Sequence, residues 1–259
     1  MRETPFDVAP DGADRGLHRG SYKDFAPTEL IIPLFLNCPV FAHSPVRLFA
    51  LWPPRPLADS PHCANSNSNM ETDRTEFRNT LLTLDLSDRA EEESCRQRML
   101  ELLDTRSDCF RRDAFPAHFT GSALVVSADG SKVLLNHHRK LDRWLQFGGH
   151  CDGEENVLSV ARREALEESG IDGLIVASVR PFDLDIHEIP LHGHEPVHFH
   201  YDVRYVLIAP EAADTRTSAE SKELRWFTYG ELKDWDLDPG LRRLVGKWNA
   251  LATRRNHHG

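Results

Sequence analysis

Residues 149–171 read GHCDGEENVLSVARREALEESGI, and this stretch carries the main chemical signal of the chain. The part from Asn156 to Ser169 predicts a helix, because its apolar residues recur at the spacing of one helical face. Gly170 follows as the C′ residue that ends the helix, since glycine adopts the left-handed conformation without steric penalty. The segment therefore predicts one helix with a defined end.

Three glutamates share one face of this predicted helix, because Glu164, Glu167 and Glu168 stand at i, i+3 and i+4. On a helical wheel they fall on the side of the small apolar residues Val157, Val160, Ala161 and Ala165. Carboxylates on an inward side are unfavourable unless they bind something. Mg²⁺ or Mn²⁺ suits such hard oxygen ligands, whereas a solvated charged face is the alternative interpretation. Arg163, next to Glu164, is placed to orient a carboxylate.

The segment resembles the Nudix box, G-x5-E-x7-R-E-U-x-E-E-x-G-U, where U is an aliphatic residue. Every fixed glycine and charged position is filled, by Gly149, Glu155, Arg163, Glu164, Glu167, Glu168 and Gly170. Ala165 stands at the first U position and is small rather than branched, and Ile171 fills the last. In the strand before the box, Phe147 stands where many members carry proline.

This resemblance implies an α/β/α sandwich around a mixed sheet and hydrolysis of a diphosphate linkage in a nucleoside diphosphate derivative. It implies Mg²⁺, with Mn²⁺ as a substitute, held by Glu164, Glu167, Glu168 and the backbone carbonyl of Gly148. Arg163 would orient the glutamates. Gly149, Glu155 and Gly170 would support the box. The resemblance leaves open which acid takes the proton from the attacking water, how many metal ions bind and which substrate is cleaved.

The chain divides into three parts by composition. Residues 1–73 are rich in proline and polar residues and predict a disordered leader. The apolar stretch Leu30–Trp52 raises a membrane or export role, but prolines and Arg47 interrupt it. A second hypothesis places the natural start at Met70. Residues 74–116 predict a helical segment, and residues 117–255 the Nudix domain.

Patterning within these parts predicts the individual elements. Ser87 is expected to cap a helix over Asp88–Leu103, which would cover the cleft or form a homodimer contact. Strands are expected over residues 119–127, 132–136, 144–147, 174–179, 199–208 and 224–227, with a hairpin turn at Asp129-Gly130. Pro239–Arg255 predicts a closing amphipathic helix. The alternation of strands and helices indicates a mixed α/β domain.

Composition excludes some classes of protein. The chain has 31 Lys+Arg against 41 Asp+Glu, a formal charge of −10, which argues against a nucleic-acid-coating role. The five cysteines are scattered and form no C-x-x-C pair, so neither a disulfide framework nor a zinc ribbon is expected. These features favour a reducing, cytoplasmic setting and a small-molecule substrate, without a nucleic-acid polymer or a membrane as partner.

Histidines alternate along one predicted strand. His198, His200 and Asp202 share one face, and His187, His192 and His194 lie nearby in the sequence. Contacts of His198 and His200 with substrate phosphate or base are the preferred functional interpretation. A second metal site and a polar strand face lining the cleft are the alternatives.

Charged residues flanking the box supply further candidates. Arg139 and Arg143 belong to a basic cluster that could steer an anionic substrate or form a solvated hairpin end. Glu220, with Glu223 beside it, could contribute an additional acid or be an ordinary surface residue. Two other functions remain open. An isomerase could share the fold, and a nucleotide sensor could bind without turnover, although the complete set of acids favours hydrolysis.

Overall fold

The computed structural model describes residues 66–191 and 193–256. Residues 1–65, which include most of the predicted leader and the apolar stretch Leu30–Trp52, lie outside this range, as does His192. No helix within the described ranges combines the length and the apolar character that a membrane span requires.

Five helices are present among the described residues: α1 (Ser66–Leu82), α2 (Ala90–Thr105), α3 (Val157–Ser169), α4 (Tyr229–Leu232) and α5 (Pro239–Asn256). Helix α1 begins inside the segment assigned to the leader, so residues 66–73 are helical where no helical period was expected. The expectation for Ser87 is wrong. Helix α2 begins at Ala90, because the backbone N–H of Ser87 donates to Asp85 Oδ1 at 3.1 Å and Asp88 has a φ of 65°.

Eight strands form one sheet: β1 (Ala117–Val126), β2 (Val133–His138), β3 (Arg143–Leu145), β4 (Phe147–His150), β5 (Ile175–Val176), β6 (Asp183–Ile189), β7 (His198–Ile208) and β8 (Ser221–Phe227). Each of the six predicted strands overlaps a strand of the structure, with ends that differ by a few residues. The predicted Trp144–Phe147 strand is divided between β3 and β4. Strand β6 was not predicted.

The sheet is mixed, as expected. Strand β1 runs parallel to β7 over its whole length, with Ala117 opposite Phe199 and Val126 opposite Ile208. All other pairs are antiparallel, among them β1 with β2 and β4, and β7 with β5 and β6. This arrangement puts β1 and β7 side by side at the centre, where side chains from four strands can meet.

Helices cover both faces of the sheet. On one face, Phe119 and Val203 pack in the core that includes α3 and the buried side of α1 and α2. On the other, Leu124 and Val206 pack in the core that contains Leu244 of α5. Because successive strand residues point to opposite faces, β1 and β7 contribute to both cores. The fold is the expected α/β/α sandwich.

A buried ion-pair network joins β6 and β7. Arg204 is 2% exposed and contacts three carboxylates, with Nε 2.7 Å from Asp202 Oδ2, Nη2 2.9 Å from Asp185 Oδ2 and Nη1 3.3 Å from Asp183 Oδ2. Arg243 of α5 also binds Asp183 and Asp185. These contacts explain how β6 pairs with β7 at the edge of the sheet although its sequence, DLDIHEI, carries three acids.

Candidate active site

Helix α3 has the predicted boundaries and a cap at each end. Asn156 precedes the helix and its Oδ1 accepts a hydrogen bond from the backbone N–H of Ser159 at 3.0 Å. Gly170 ends it with a φ of 65°, and its N–H donates to the Leu166 carbonyl at 2.9 Å. The two caps fix where the glutamates of the last two turns stand.

The three glutamates differ in their surroundings. The apolar residues predicted to share their side of α3 are all buried. The side chain of Glu164 is 18% exposed, and Glu168 is also partly buried, whereas Glu167 lies in solvent. Two carboxylates are therefore drawn toward the protein, whereas the helical wheel placed all three glutamates on this side, and Glu167 is the exception.

Glu164 is held between an arginine and a glycine. Arg163 Nη2 donates to Glu164 Oε1 at 2.7 Å and to the backbone carbonyl of His150 at 3.1 Å. A Cβ atom at position 149 would lie 2.5 Å from Cδ of Glu164, so only glycine leaves room for this carboxylate. Strand β4 carries both Gly149 and the neighbouring Gly148, whose carbonyl the resemblance assigns to the metal.

Among the glutamates of α3, Glu168 is the one whose pKa is shifted from its ordinary value. Its pKa is raised from 4.5 to about 8, mainly by burial and also by the negative charges of Glu164, Glu220 and Glu167, against one hydrogen bond from Asn136 Nδ2 at 3.2 Å. Asn136 is 1% exposed and lies on β2. The sequence analysis missed Asn136. Its position as the polar residue that ends the predicted strand KVLLN was the available signal.

The site fits a hard divalent cation. Glu168 has no arginine or lysine partner within the described residues, whereas Glu164 is paired with Arg163, so the charge of Glu168 is the one that no basic side chain offsets. Asn136 Oδ1 is buried and, among those residues, accepts no hydrogen bond. Carboxylate and amide oxygens at this density are the ligands that Mg²⁺ prefers.

The loop before β8 lies next to the glutamates. Glu220 is exposed, and its charge contributes to the raised pKa of Glu168. Arg139 ties this loop to the end of β2, donating to the carbonyls of Ala219 at 3.1 Å and Ser221 at 2.8 Å. Arg143 is exposed at the start of β3. The guanidinium of Arg139 therefore already has backbone partners, while Arg143 is free to face solvent.

Helix α1 reaches the box through one side chain. Arg74 Nη1 lies 3.3 Å from Glu155 Oε1, and Arg74 Nη2 donates to the carbonyls of Leu103 and Arg106 at 2.6 Å each. Sequence reasoning assigned Glu155 to support of the box but did not identify its partner. Arg74 of α1 makes that contact and connects the C-terminal end of α2 to the box.

His198 and His200 belong to a larger cluster than the sequence indicated. His118 of β1, His150 of β4 and His187 of β6 lie beside them. Of the other residues grouped with them, Asp202 is turned to Thr120, Ser122 and Arg204, and His194 is exposed. Burial, aided by the neighbouring histidines, lowers the pKa of His118 to about 4 and that of His200 to about 2. Both rings are therefore neutral at pH 7.

Comparison with known proteins identifies a protein family that agrees with the box and the fold. The family model for the NUDIX domain matches residues 118–247. Two relatives from Mycobacterium tuberculosis, strains CDC 1551 / Oshkosh and ATCC 25618 / H37Rv, are each 31% identical over 148 residues. Both carry the name "Putative 8-oxo-dGTP diphosphatase 3". The match covers 54% of this chain and 64% of each relative, so the chain spans less than two thirds of their length.

Two solved structures are also similar. One is a binary complex of a C. elegans Ap4A hydrolase, with 16% identity and a TM-score of 0.44 over 52% of this chain and 97% of that chain. The other is a NUDIX family hydrolase from Clostridium perfringens, with 28% identity and a TM-score of 0.39 over the same shares.

Proposed function

The chain belongs to the Nudix family, and we propose that it is a Mg²⁺-dependent diphosphohydrolase that cleaves a diphosphate linkage in a nucleoside diphosphate derivative or a related small molecule. The observation that carries this proposal is the environment of Glu168. A buried carboxyl group with a pKa near 8 stands beside Glu164 on one helix face, within a complete box. Perturbed acids grouped in this way are typical of catalytic sites.

The residues proposed to hold Mg²⁺ are Glu164, Glu167, Glu168 and the carbonyl of Gly148, with Mn²⁺ as a substitute. When bound, the cation would neutralise charge on the diphosphate oxygens and lower the pKa of a coordinated water. Arg163 keeps Glu164 in one orientation through the 2.7 Å contact, and its second bond to His150 fixes the arginine itself. The two glutamates on the inward side are thus held by different elements, Glu164 by Arg163 of α3 next to β4 and Glu168 by Asn136 of β2.

We propose Glu168 as the general base. A carboxylate whose pKa lies near neutral pH accepts a proton more readily than an ordinary glutamate does. The water oxygen would attack phosphorus while its proton passes to Glu168. The bond from phosphorus to the bridging oxygen would break, and the leaving phosphate would take up the electron pair. Asn136 would keep the acceptor oxygen of Glu168 in place.

We propose that Arg139, Arg143 and Glu220, which flank this centre, contribute to substrate selection. His198 and His200 were also predicted to contact substrate phosphate or base, but they lie on the face of β7 opposite to Tyr201 and Val203, which pack in the core with α3. Since the relatives of known name are called 8-oxo-dGTP diphosphatases, oxidised nucleoside triphosphates are the first substrates to test.

The test is phosphate release from a panel of compounds with Mg²⁺, Mn²⁺ or EDTA. The panel contains 8-oxo-dGTP, ADP-ribose, dinucleoside polyphosphates, NADH, nucleotide sugars and coenzyme A. We expect metal-dependent turnover of one class by the wild type, and loss of turnover in Glu168→Gln. Glu101→Gln, which changes an exposed acid on α2, is the matched control. Nucleotide binding without turnover of any compound would favour the sensor function and contradict this proposal.

The setting is proposed as cytoplasmic, because the three described cysteines, Cys95, Cys109 and Cys151, are free thiols, which suits a reducing compartment. We also propose that the partners are small molecules rather than nucleic-acid polymers or membranes. A homodimer remains part of the proposal, and light scattering of the purified chain would test it.

A further inference from the structure

Three histidines from the two central strands meet on one face of the sheet. The parallel register pairs His118 of β1 with His200 of β7, and His198 lies two residues before His200 on the same face. The ring centroids are 4.9 Å apart for His118 and His200, 5.0 Å for His118 and His198, and 5.2 Å for His198 and His200. One ring nitrogen from each lies within 4.8 Å of the other two. Their nitrogen atoms therefore converge on a shared space.

The ring nitrogens of two of these residues are buried without hydrogen bonds. Among the described residues, neither Nδ1 nor Nε2 of His118 has a hydrogen-bond partner, although the residue is only 1% exposed. Nε2 of His200 is also buried without a hydrogen-bond partner there. A buried polar atom without a partner destabilises a fold, because it loses its hydrogen bonds to water and gains none in exchange. Three such atoms in one cluster indicate that something else satisfies them.

The third histidine is oriented as metal ligands commonly are. His198 Nδ1 lies 2.8 Å from the carbonyl oxygen of Pro196, an acceptor, so Nδ1 carries the hydrogen. This assignment leaves the lone pair on Nε2. Ligand histidines usually donate their second ring N–H to a carbonyl or carboxylate, which fixes both tautomer and orientation. His187 shows the same pattern at the edge of the cluster, with Nδ1 2.9 Å from Asp185 Oδ2.

We propose that His118, His198 and His200 bind Zn²⁺. Imidazole nitrogens favour zinc and similar transition metals, whereas Mg²⁺ favours oxygen. Zn–N bonds of about 2.0–2.1 Å at tetrahedral angles place ring centroids about 5 Å apart, which agrees with the three observed separations. Three protein ligands leave a fourth position. The ring of His150, 5.2 Å from His118 and 5.1 Å from His200, stands next to it.

This zinc site is separate from the glutamates but adjacent to them. The ring of His150 borders the histidine cluster, while its backbone carbonyl accepts the hydrogen bond from Arg163 that orients Glu164. Zn²⁺ bound to His118 and His200 would cross-link β1 to β7 where β4 joins the sheet. The proposal does not depend on the hydrolase function, because its test measures binding of a different metal by different residues.

The experiment uses the full chain, purified without a histidine tag and stripped of metal with a chelator. Zn²⁺ bound after gel filtration is measured by elemental analysis, and Co²⁺ is added as a spectroscopic probe. We expect one Zn²⁺ per chain, intense visible Co²⁺ absorption typical of tetrahedral nitrogen ligands, and a higher melting temperature with Zn²⁺. The variants His118→Gln and His200→Gln should lose all three signals while keeping the circular dichroism of the wild type.

Two controls separate this site from its surroundings. His194→Gln, which changes an exposed histidine in the loop before β7, should keep zinc, and Glu168→Gln should also keep it. If a variant of His118 does not fold, His198→Gln provides the same test from the neighbouring strand. The proposal is wrong if the folded cluster variants bind as much Zn²⁺ as the wild type. It is also wrong if the metal-free chain binds inorganic phosphate through these histidines but no Zn²⁺.

Discussion

Asn136 Nδ2 donates a hydrogen bond of 3.2 Å to Oε2 of Glu168, and this contact joins the middle of the sheet to the last turn of α3. Asn136 is fully buried on β2, so its amide has little freedom to move. The position of Glu168 is thus set by a strand as well as by its own helix. Its high pKa shows that this position favours the protonated acid when no cation is present.

Replacing Asn136 should impair catalysis more than substrate binding. In Asn136→Ala the carboxylate of Glu168 loses its only described hydrogen-bond partner, and we expect kcat to fall by about tenfold, the equivalent of one hydrogen bond, with KM little changed. Steady-state kinetics on the substrate found in the panel would measure this. Lys132→Ala, at an exposed position before the same strand, is the control. An unchanged kcat would show that Asn136 does not position the base.

The stability of the metal-free chain should depend on pH through Glu168. Because folding raises the pKa of this group from 4.5 to about 8, the native state holds a proton that the unfolded state releases between these values. The contribution of Glu168 to stability is therefore complete below pH 4.5 and is lost as the pH rises to about 8. Glu168→Gln removes the effect, and should be more stable than the wild type by roughly 1–4 kcal/mol at pH 9 in EDTA.

Denaturant unfolding of both proteins at pH 4.5 and pH 9 measures this difference. Comparing the variant with the wild type cancels the contributions of other groups, such as His118 and His200, whose pKa values are lowered by folding. A constant difference at both pH values would contradict the raised pKa of Glu168.

A methyl group at position 149 should disturb Glu164. In Gly149→Ala the new Cβ would lie 2.5 Å from the carboxyl carbon of Glu164, so the carboxylate must leave its contact with Arg163. We expect activity to fall at least tenfold, whereas the free energy of unfolding should change little because the flexible end of the Glu164 side chain can turn away. Gly246→Ala in α5 meets no atom within 4 Å and should stabilise the helix by about 0.5–1 kcal/mol. Activity assays and denaturant unfolding of both variants test this, and equal effects would refute the steric explanation.

Removing Arg204 should destabilise the fold strongly. Arg204→Met leaves the buried carboxylates of Asp183, Asp185 and Asp202 with less positive charge, and an uncompensated buried charge lowers stability by about 3–5 kcal/mol. Arg225→Met, which breaks an exposed pair with Glu231, should change stability little. Thermal and urea unfolding distinguish the two. Similar losses in both variants would show that burial of the Arg204 network is not what matters.

The clearest failure of sequence reasoning is β6. Its residues, DLDIHEI, were not assigned to a strand, although Asp183 and Asp185 alternate with Leu184 and Ile186 as in a strand with one polar face. In the protein, Asp183 and Asp185 face the guanidinium groups of Arg204 and Arg243, which come from β7 and α5. Charge pairing between distant segments cannot be read from local alternation. The histidine cluster was only partly identified because its members are also far apart along the chain: His118 stands 80 residues before His198.

The sequence by itself determined a helix over residues 156–169, one residue longer at its start than α3, its end at Gly170 and the spacing that aligns its glutamates. These features follow from the 3.6-residue period and from glycine's left-handed conformation, which depend only on neighbours along the chain. Only the tertiary structure decided which glutamate is desolvated, that Asn136 contacts it, and that histidines from separate strands converge. Those properties depend on strand order and register, because burial and electrostatic interaction are set by groups that are close in space rather than in sequence.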